Sequence, residues 1–201
     1  ETPRGDEWRG AISPPDRRGR EKGSEGYRGP NWNPWFAGYT REIMHFARLA
    51  EEGGASLFSV GSELSTTEAQ KGQWTRVVER VRKVFSGRLT YSANWDHYSE
   101  VKIWPLLDCI GVSGYYELTT VLAPTQEELD ASWVKVRTRL NAWRANAGLE
   151  KKKILFTELG YPSIDGGARH PWDYTRKADP DHVEQEMAYR AFGRAWEGRD
   201  E

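Results

Sequence analysis

Two glutamates stand out by what precedes them. In Lys153-Ile154-Leu155-Phe156-Thr157-Glu158-Leu159-Gly160-Tyr161 a short apolar run ends in a carboxylate, then a glycine and an aromatic. Ser56-Leu57-Phe58-Ser59-Val60-Gly61-Ser62-Glu63 has the same grammar. Each reads as a buried strand that delivers a glutamate at its C-terminal end, and in a parallel barrel that end is where chemistry sits. Two carboxyl groups of this kind suit cleavage of a glycosidic bond with retention: one attacks the anomeric carbon, the other protonates the leaving oxygen and then activates water. The plainer alternative is that each glutamate simply ends a strand in a solvated loop.

Their surroundings add candidate partners. Tyr115 and Tyr116 follow another apolar run, Cys109 to Val112, and a phenol there could hydrogen-bond Glu158 and hold it ionised. Asn94, Trp95 and Trp172 fall in segments after strands, where they could meet a sugar. Other constellations fail. His45, His97, His170 and His182 show no paired ligand spacing, so no metal site is expected. Gly111-Val112-Ser113-Gly114-Tyr115 lacks the last glycine of a nucleophile elbow. Glu68, Glu117, Glu127 and Glu128 read as loop and helix-cap residues.

The elements that must carry these residues alternate. Residues 1–32 form a long Gly-, Pro- and Arg-rich segment, read as a solvated loop before the first helix. Asn33-Pro34 marks a helix start, with Asn33 as cap. Phe36, Tyr39, Ile43, Phe46, Ala47 and Ala50 follow at helical spacing up to Gly53-Gly54. Then come a strand over Leu57–Val60, a helix from Trp74 to Phe85, a strand over Leu89–Ala93, a short helix over Ser99–Trp104 and a strand over Cys109–Val112. Thr125 and Glu128 form a capping box for a long helix through Trp133 and Leu140. A strand over Ile154–Phe156 leads to a polar loop. Asp181 opens a last helix with Val183, Met187, Ala188, Phe192 and Trp196 on its apolar side.

Apolar strands alternating with helices imply an α/β fold with a parallel sheet covered by helices. Four such strands are countable, where a closed barrel needs eight. The sheet is therefore either open and doubly wound or part of a barrel. No Gly-rich phosphate loop follows any strand, so the nucleotide-binding form lacks support.

Composition narrows the partners. Net charge is −1 with 29% charged residues, so nothing points to nucleic acid or an anionic membrane. Cys109, the single cysteine, allows no internal disulfide. No apolar stretch reaches the length of a membrane span, and nothing at Glu1 reads as a signal peptide. Ten tryptophans and nine tyrosines mostly serve the core, yet flat rings also pack on the C–H faces of sugars.

Taken together, these stretches resemble glycoside hydrolase family 113, a clan A family of (β/α)8 TIM barrels with endo-β-1,4-mannanase activity. Phe58 to Leu64 resembles its strand 4 motif, Leu89 to Trp95 strand 5, Leu107 to Val112 with Tyr115-Tyr116 strand 6, and Ile154 to Tyr161 strand 7. Trp8-Arg9-Gly10-Ala11-Ile12 resembles the segment after strand 3. The similarity runs from Trp8 to Trp196. It implies one incomplete catalytic domain over residues 1–201, a partial barrel of strands 4 to 7 lacking counterparts of strands 1–3 and 8.

The resemblance also implies roles: Glu63 as acid/base, Glu158 as nucleophile, and Asn94, Trp95, Tyr115, Tyr116, Trp172 and Trp8 as substrate-binding residues. It implies no metal or organic cofactor, an oligo- or polysaccharide substrate, no nucleic acid or membrane partner, and a monomer. A secreted or periplasmic setting is in keeping with it. Ser62 departs from the asparagine that many clan A enzymes carry before the acid/base. That departure and the missing strands motivate the competing expectation, a non-catalytic carbohydrate-binding or scaffold module derived from such an enzyme.

Overall fold

Residues 8–199 are described by a computed structural model. The chain divides into two compact units, Glu1–Gly111 and Val112–Glu201. The described elements are four parallel strands alternating with helices, the α/β fold expected from the sequence.

The first unit opens with an irregular segment containing one 3-10 turn, Arg9–Ala11, before α1 (Trp32–Glu52). This segment is not wholly a solvated loop. Asp16 is buried and collects the backbone N–H groups of Arg18, Arg20 and Arg28 and the Arg20 guanidinium. One carboxylate thus ties together a stretch that has no apolar periodicity to announce it.

Helix α1 begins after Asn31, slightly earlier than the sequence suggested. Asn33 does not cap it; its side-chain oxygen accepts from Gln73 instead. Pro34 still fits in the first turn, because the first N–H groups of a helix have no intrahelical partner to lose.

Strand β1 (Leu57–Ser62) pairs in parallel with β2 (Arg88–Asn94), and α2 (Lys71–Val81) connects them. The residues of α2 that face the core, Trp74, Val77, Val78 and Val81, are all buried. Their rings join an edge-to-face cluster: Phe36 and Tyr39 of α1 and Tyr91 of β2 each lie 5.4–5.5 Å from Trp74. The cluster presses on Gly61, where a Cβ would meet Trp74, Tyr91 and the Tyr39 hydroxyl at 2.9–3.0 Å. Only glycine fits there. Register shifts between Ser59 and Ser62, so the strand carries an irregularity immediately before Glu63.

The short helix expected over Ser99–Trp104 is a set of turns leading into a 3-10 turn, Trp104–Leu106. The Trp104 indole N–H donates to the Tyr98 carbonyl at 2.7 Å, and Pro105 suits the opening of a tight turn rather than the interior of a helix. Strand β3 (Ile110–Ser113) begins in this unit as the neighbour of β2.

In the second unit β3 runs beside β4 (Ile154–Glu158). Helix α3 (Gln126–Asn146) starts with the expected capping box, both halves of which form between Thr125 and Glu128. Trp133 of α3 is the centre of packing, edge-on to Tyr116, Phe156 and Phe192 at 5.1–5.7 Å. Helix α4 (His182–Trp196) is capped by Asp181, which accepts from the Glu184 backbone.

One part of the expected apolar face of α4 is wrong: Val183 is 65% exposed, and its neighbour Glu184 is buried. The Glu184 carboxylate accepts from the backbone N–H groups of Gly166 and Ala168 at 2.9 and 2.7 Å. Two peptide donors supply what an apolar neighbour would not, and they turn a charged residue inward.

Candidate functional site

Glu63 lies directly after β1 and is 7% exposed. It is the one non-glycine residue with positive φ among those described, at 50°. A left-handed conformation with a Cβ costs on the order of 1–2 kcal/mol, so its surroundings must impose it. They do so from both sides. The Glu63 N–H donates to the Ser92 carbonyl at 2.8 Å, and the Leu64 N–H donates to the Tyr91 hydroxyl at 2.8 Å. The left-handed turn ends the extended course of the strand at Glu63.

Two residues from the N-terminal segment meet that carboxyl. The Trp8 indole N–H donates to Glu63 Oε2 at 3.4 Å, and Arg9 Nε lies 3.5 Å from the same oxygen. Trp8 lies over Gly10, where an added Cβ would come within 2.3–2.5 Å of the indole. The Trp-Arg-Gly sequence is therefore a unit: a ring, a cation, and a residue small enough to let the ring fold back. Trp8 was anticipated; the contact of Arg9 was not, since in sequence it is one arginine in an arginine-rich stretch.

Asn94, the last residue of β2, turns its side chain onto its own chain and accepts from the Trp95 N–H at 2.8 Å. Trp95 itself is half-buried.

Glu158 is the last residue of β4. Of the two tyrosines left open by the sequence, Tyr115 reaches it, donating to Oε2 at 3.0 Å. Tyr116 is 1% exposed, packed against Trp133 with the Arg139 guanidinium 5.6 Å from its ring centre. Consecutive residues in extended chain point to opposite faces, so one tyrosine had to turn to the core if the other met Glu158.

Glycine makes the approach of Tyr115 possible. A Cβ on Gly160 would lie 2.8 Å from the Tyr115 ring, and one on Gly114 would lie 2.8 Å from the Phe156 ring. The Gly114 N–H donates to the Glu158 carbonyl at 2.7 Å, fixing the backbone on which the carboxylate stands.

Trp172 is 50% exposed in the loop after β4. Its indole N–H donates to Glu117 Oε1 at 3.0 Å, and His170 Nδ1 lies 3.1 Å from the same oxygen. Glu117 is more than a loop residue: it fixes the orientation of an exposed indole. The loop that carries Trp172 is anchored by Glu184 and by Arg176, whose guanidinium donates to the carbonyls of Gly166 and Asp165.

Glu68 also departs from its reading as a loop glutamate. It is buried, accepts from the Tyr91 hydroxyl at 2.9 Å, and has its pKa pushed up to about 7, chiefly by burial. Nothing in the sequence Ser65-Thr66-Thr67-Glu68 signals this. Asp165, Asp181 and Glu184 hold carboxylate oxygens within 4.8 Å of one another. Asp181 caps α4 and Glu184 holds two loop N–H groups, so structural tasks account for those two.

Parallel strands alternating with helices, with a glutamate at or just after the C-terminal end of two of them, are the arrangement of part of a (β/α)8 barrel. The sequence profile of Glycoside Hydrolase Family 113 matches residues 4–200, and the chain belongs to that family.

Among solved structures, it is similar to a GH113 β-mannanase from Alicyclobacillus acidocaldarius in complex with ManMIm, with 27% identity and a TM-score of 0.76. A GH113 β-1,4-mannanase matches with 27% identity and a TM-score of 0.77. In both cases the match covers 96% of this chain and 55% of the other. This chain thus spans little more than half the length of those enzymes. A β-glucuronidase from Faecalibacterium prausnitzii, at 16% identity and a TM-score of 0.59, shares the fold alone. No curated protein sequence matches the chain.

Proposed function

We propose that this chain carries both catalytic glutamates of a retaining glycoside hydrolase acting on β-1,4-linked glycan, with β-mannan as substrate and internal cleavage as the mode. The mannanases among the similar structures support the substrate class. The observation that carries the chemistry is the Tyr115 hydroxyl bound to Glu158 at the end of β4. A phenol that donates to one carboxylate oxygen orients the group and leaves the other oxygen for attack.

In this reading Glu158 attacks the anomeric carbon while Glu63, as acid, gives its proton to the departing glycosidic oxygen. A covalent glycosyl ester on Glu158 results. Glu63, now ionised, takes a proton from water; the water oxygen attacks the anomeric carbon and releases Glu158. Two inversions give net retention. Trp8, Trp95 and Trp172 offer rings to sugar faces, and Asn94 offers an amide to hydroxyls. No cofactor enters any step.

The test is Glu158→Ala with added azide. The variant should lose almost all turnover, and azide should restore it with an inverted glycosyl azide as product. Glu63→Gln should lose kcat/KM on glycans and keep kcat/KM on aryl glycosides whose leaving groups need no acid, while kcat falls on both because hydrolysis of the glycosyl ester loses its base. A protein that binds mannan oligosaccharides but hydrolyses neither these nor aryl glycosides would instead be a non-catalytic binding module.

A further inference from the structure

Glu68 is 3% exposed, and nothing in the proposed reaction uses it. Its Oε1 accepts from the Tyr91 hydroxyl at 2.9 Å, and that same hydroxyl accepts from the Leu64 N–H at 2.8 Å. Leu64 follows Glu63, the residue held at φ 50°. The chain from Leu64 to Glu68 is itself closed by a 3-10 turn, in which Thr67 donates through both its backbone N–H and its hydroxyl to the Leu64 carbonyl. The Trp74 indole N–H in turn donates to Thr67 at 3.1 Å. The peptide after Glu63 is thus gripped at its N–H by Tyr91 and at the next carbonyl by Thr67.

We infer that Glu68 is a positioning residue for Glu63: acting through the Tyr91 phenol, it holds the left-handed turn that aims the acid/base carboxyl. This rests on the reading of Glu63 as acid/base. A hydroxyl has one proton, and Tyr91 must direct it away from the Leu64 N–H to present a lone pair there. A carboxylate at Glu68 is the group that takes that proton, and a charged acceptor makes the hydrogen bond about twice as strong as a neutral one.

The link is sensitive to protonation. The titratable groups facing the Glu68 carboxyl are Tyr91 of β2 and, in the turn after it, His97 and Asp96. Glu68 Oε2 has no hydrogen-bond partner among the described residues, and His97 Nδ1 stands 3.7 Å away. Burial holds the Glu68 carboxyl near the protonated form up to about pH 7, against the weaker pull of Tyr91 and His97. Above that pH the grip on Leu64 tightens; below it the grip slackens.

The amide resonance of Leu64 reads the grip without any substrate. In the wild-type protein it should move with pH on a midpoint near 7. Glu68→Gln should abolish that midpoint, Tyr91→Phe should shift the resonance and abolish it, and His97→Gln should displace the midpoint while keeping it. A Leu64 amide indifferent to pH and to Glu68→Gln overturns the proposal.

Kinetics then separate positioning from folding. Glu68→Gln should lower kcat/KM about tenfold on a β-1,4-mannooligosaccharide and less than twofold on a dinitrophenyl β-mannoside, whose departure needs no acid. Equal losses on both would mean a general structural defect and also overturn it. If Glu63→Gln itself shows no such leaving-group dependence, the acid/base reading is what fails, and the Leu64 amide still decides whether Glu68 holds the turn.

Discussion

The Tyr115 phenol donates to Glu158 at 3.0 Å, and Gly160, two residues beyond Glu158, leaves the space in which the Tyr115 ring lies. The donor and the residue that admits it sit on opposite sides of the carboxylate in sequence. Hydrogen bonds to charged groups contribute about 1.5–3 kcal/mol. Tyr115→Phe should therefore lower kcat about 10- to 100-fold, with folding retained. Gly160→Ala should reproduce much of that loss with the hydroxyl still present, because its Cβ displaces the ring. Steady-state kinetics with thermal melts on both variants check this.

Glu117 should matter to binding more than to stability. It receives the Trp172 indole and lies against His170 at the surface. Glu117→Ala frees an exposed ring to sample several orientations, so affinity for a mannan oligosaccharide should fall about threefold to tenfold, the loss of one modest hydrogen bond. Titration calorimetry on a catalytically inactive variant reads this directly; the melting temperature should stay unchanged.

Burial raises the Glu68 carboxyl from 4.5 to about 7. For an acid whose folded pKa is raised, the contribution to stability is fully present below the unfolded value and is lost as pH rises through the folded one. Wild-type protein should therefore lose stability between about pH 4.5 and 7, on the order of 1–3 kcal/mol. Glu68→Gln should remove that slope. Urea unfolding at pH 4.5 and pH 8 compares the two.

Asp16 runs the other way. Backbone and side-chain donors from Arg20, with the Arg18 N–H, draw its pKa down to about 2. Its contribution is present above about 3.8 and is lost as pH falls through about 2. Asp16→Asn keeps the shape and removes the charge, which loosens the segment around Arg18 and Arg20. Trypsin should cut the variant there faster than the wild type at neutral pH.

Glu184→Ala should strand the N–H groups of Gly166 and Ala168 without an acceptor inside the protein. At about 1–3 kcal/mol for each unsatisfied buried group, the variant should unfold at markedly lower urea concentration. Glu184→Gln, which keeps one acceptor, should lose less.

Some of this is legible in the sequence alone. Apolar runs that stop at a carboxylate mark both strand ends, because a short apolar run closed by turn residues is a local pattern, although β4 is only half-buried along its length where a buried strand was expected. Capping at Thr125 and Asp181, and the stop at Gly53-Gly54, are equally readable, since each depends on neighbours within one turn. The family resemblance rested on those same short stretches.

What the sequence could not decide was the fate of polar residues whose partners are remote in the chain. Tyr115 and Tyr116 are adjacent and alike, and only packing separates the one that meets Glu158 from the one buried against Trp133. Glu68 and Glu184 look like any surface glutamate, yet the tertiary structure supplies the Tyr91 hydroxyl and two loop N–H groups that let them be buried. Arg9 is one arginine among many until the fold sets it against Glu63. Apolar residues carry their reason for burial in their own chemistry. A charged residue is buried only where a distant part of the chain brings it a partner, and that is decided by the tertiary fold.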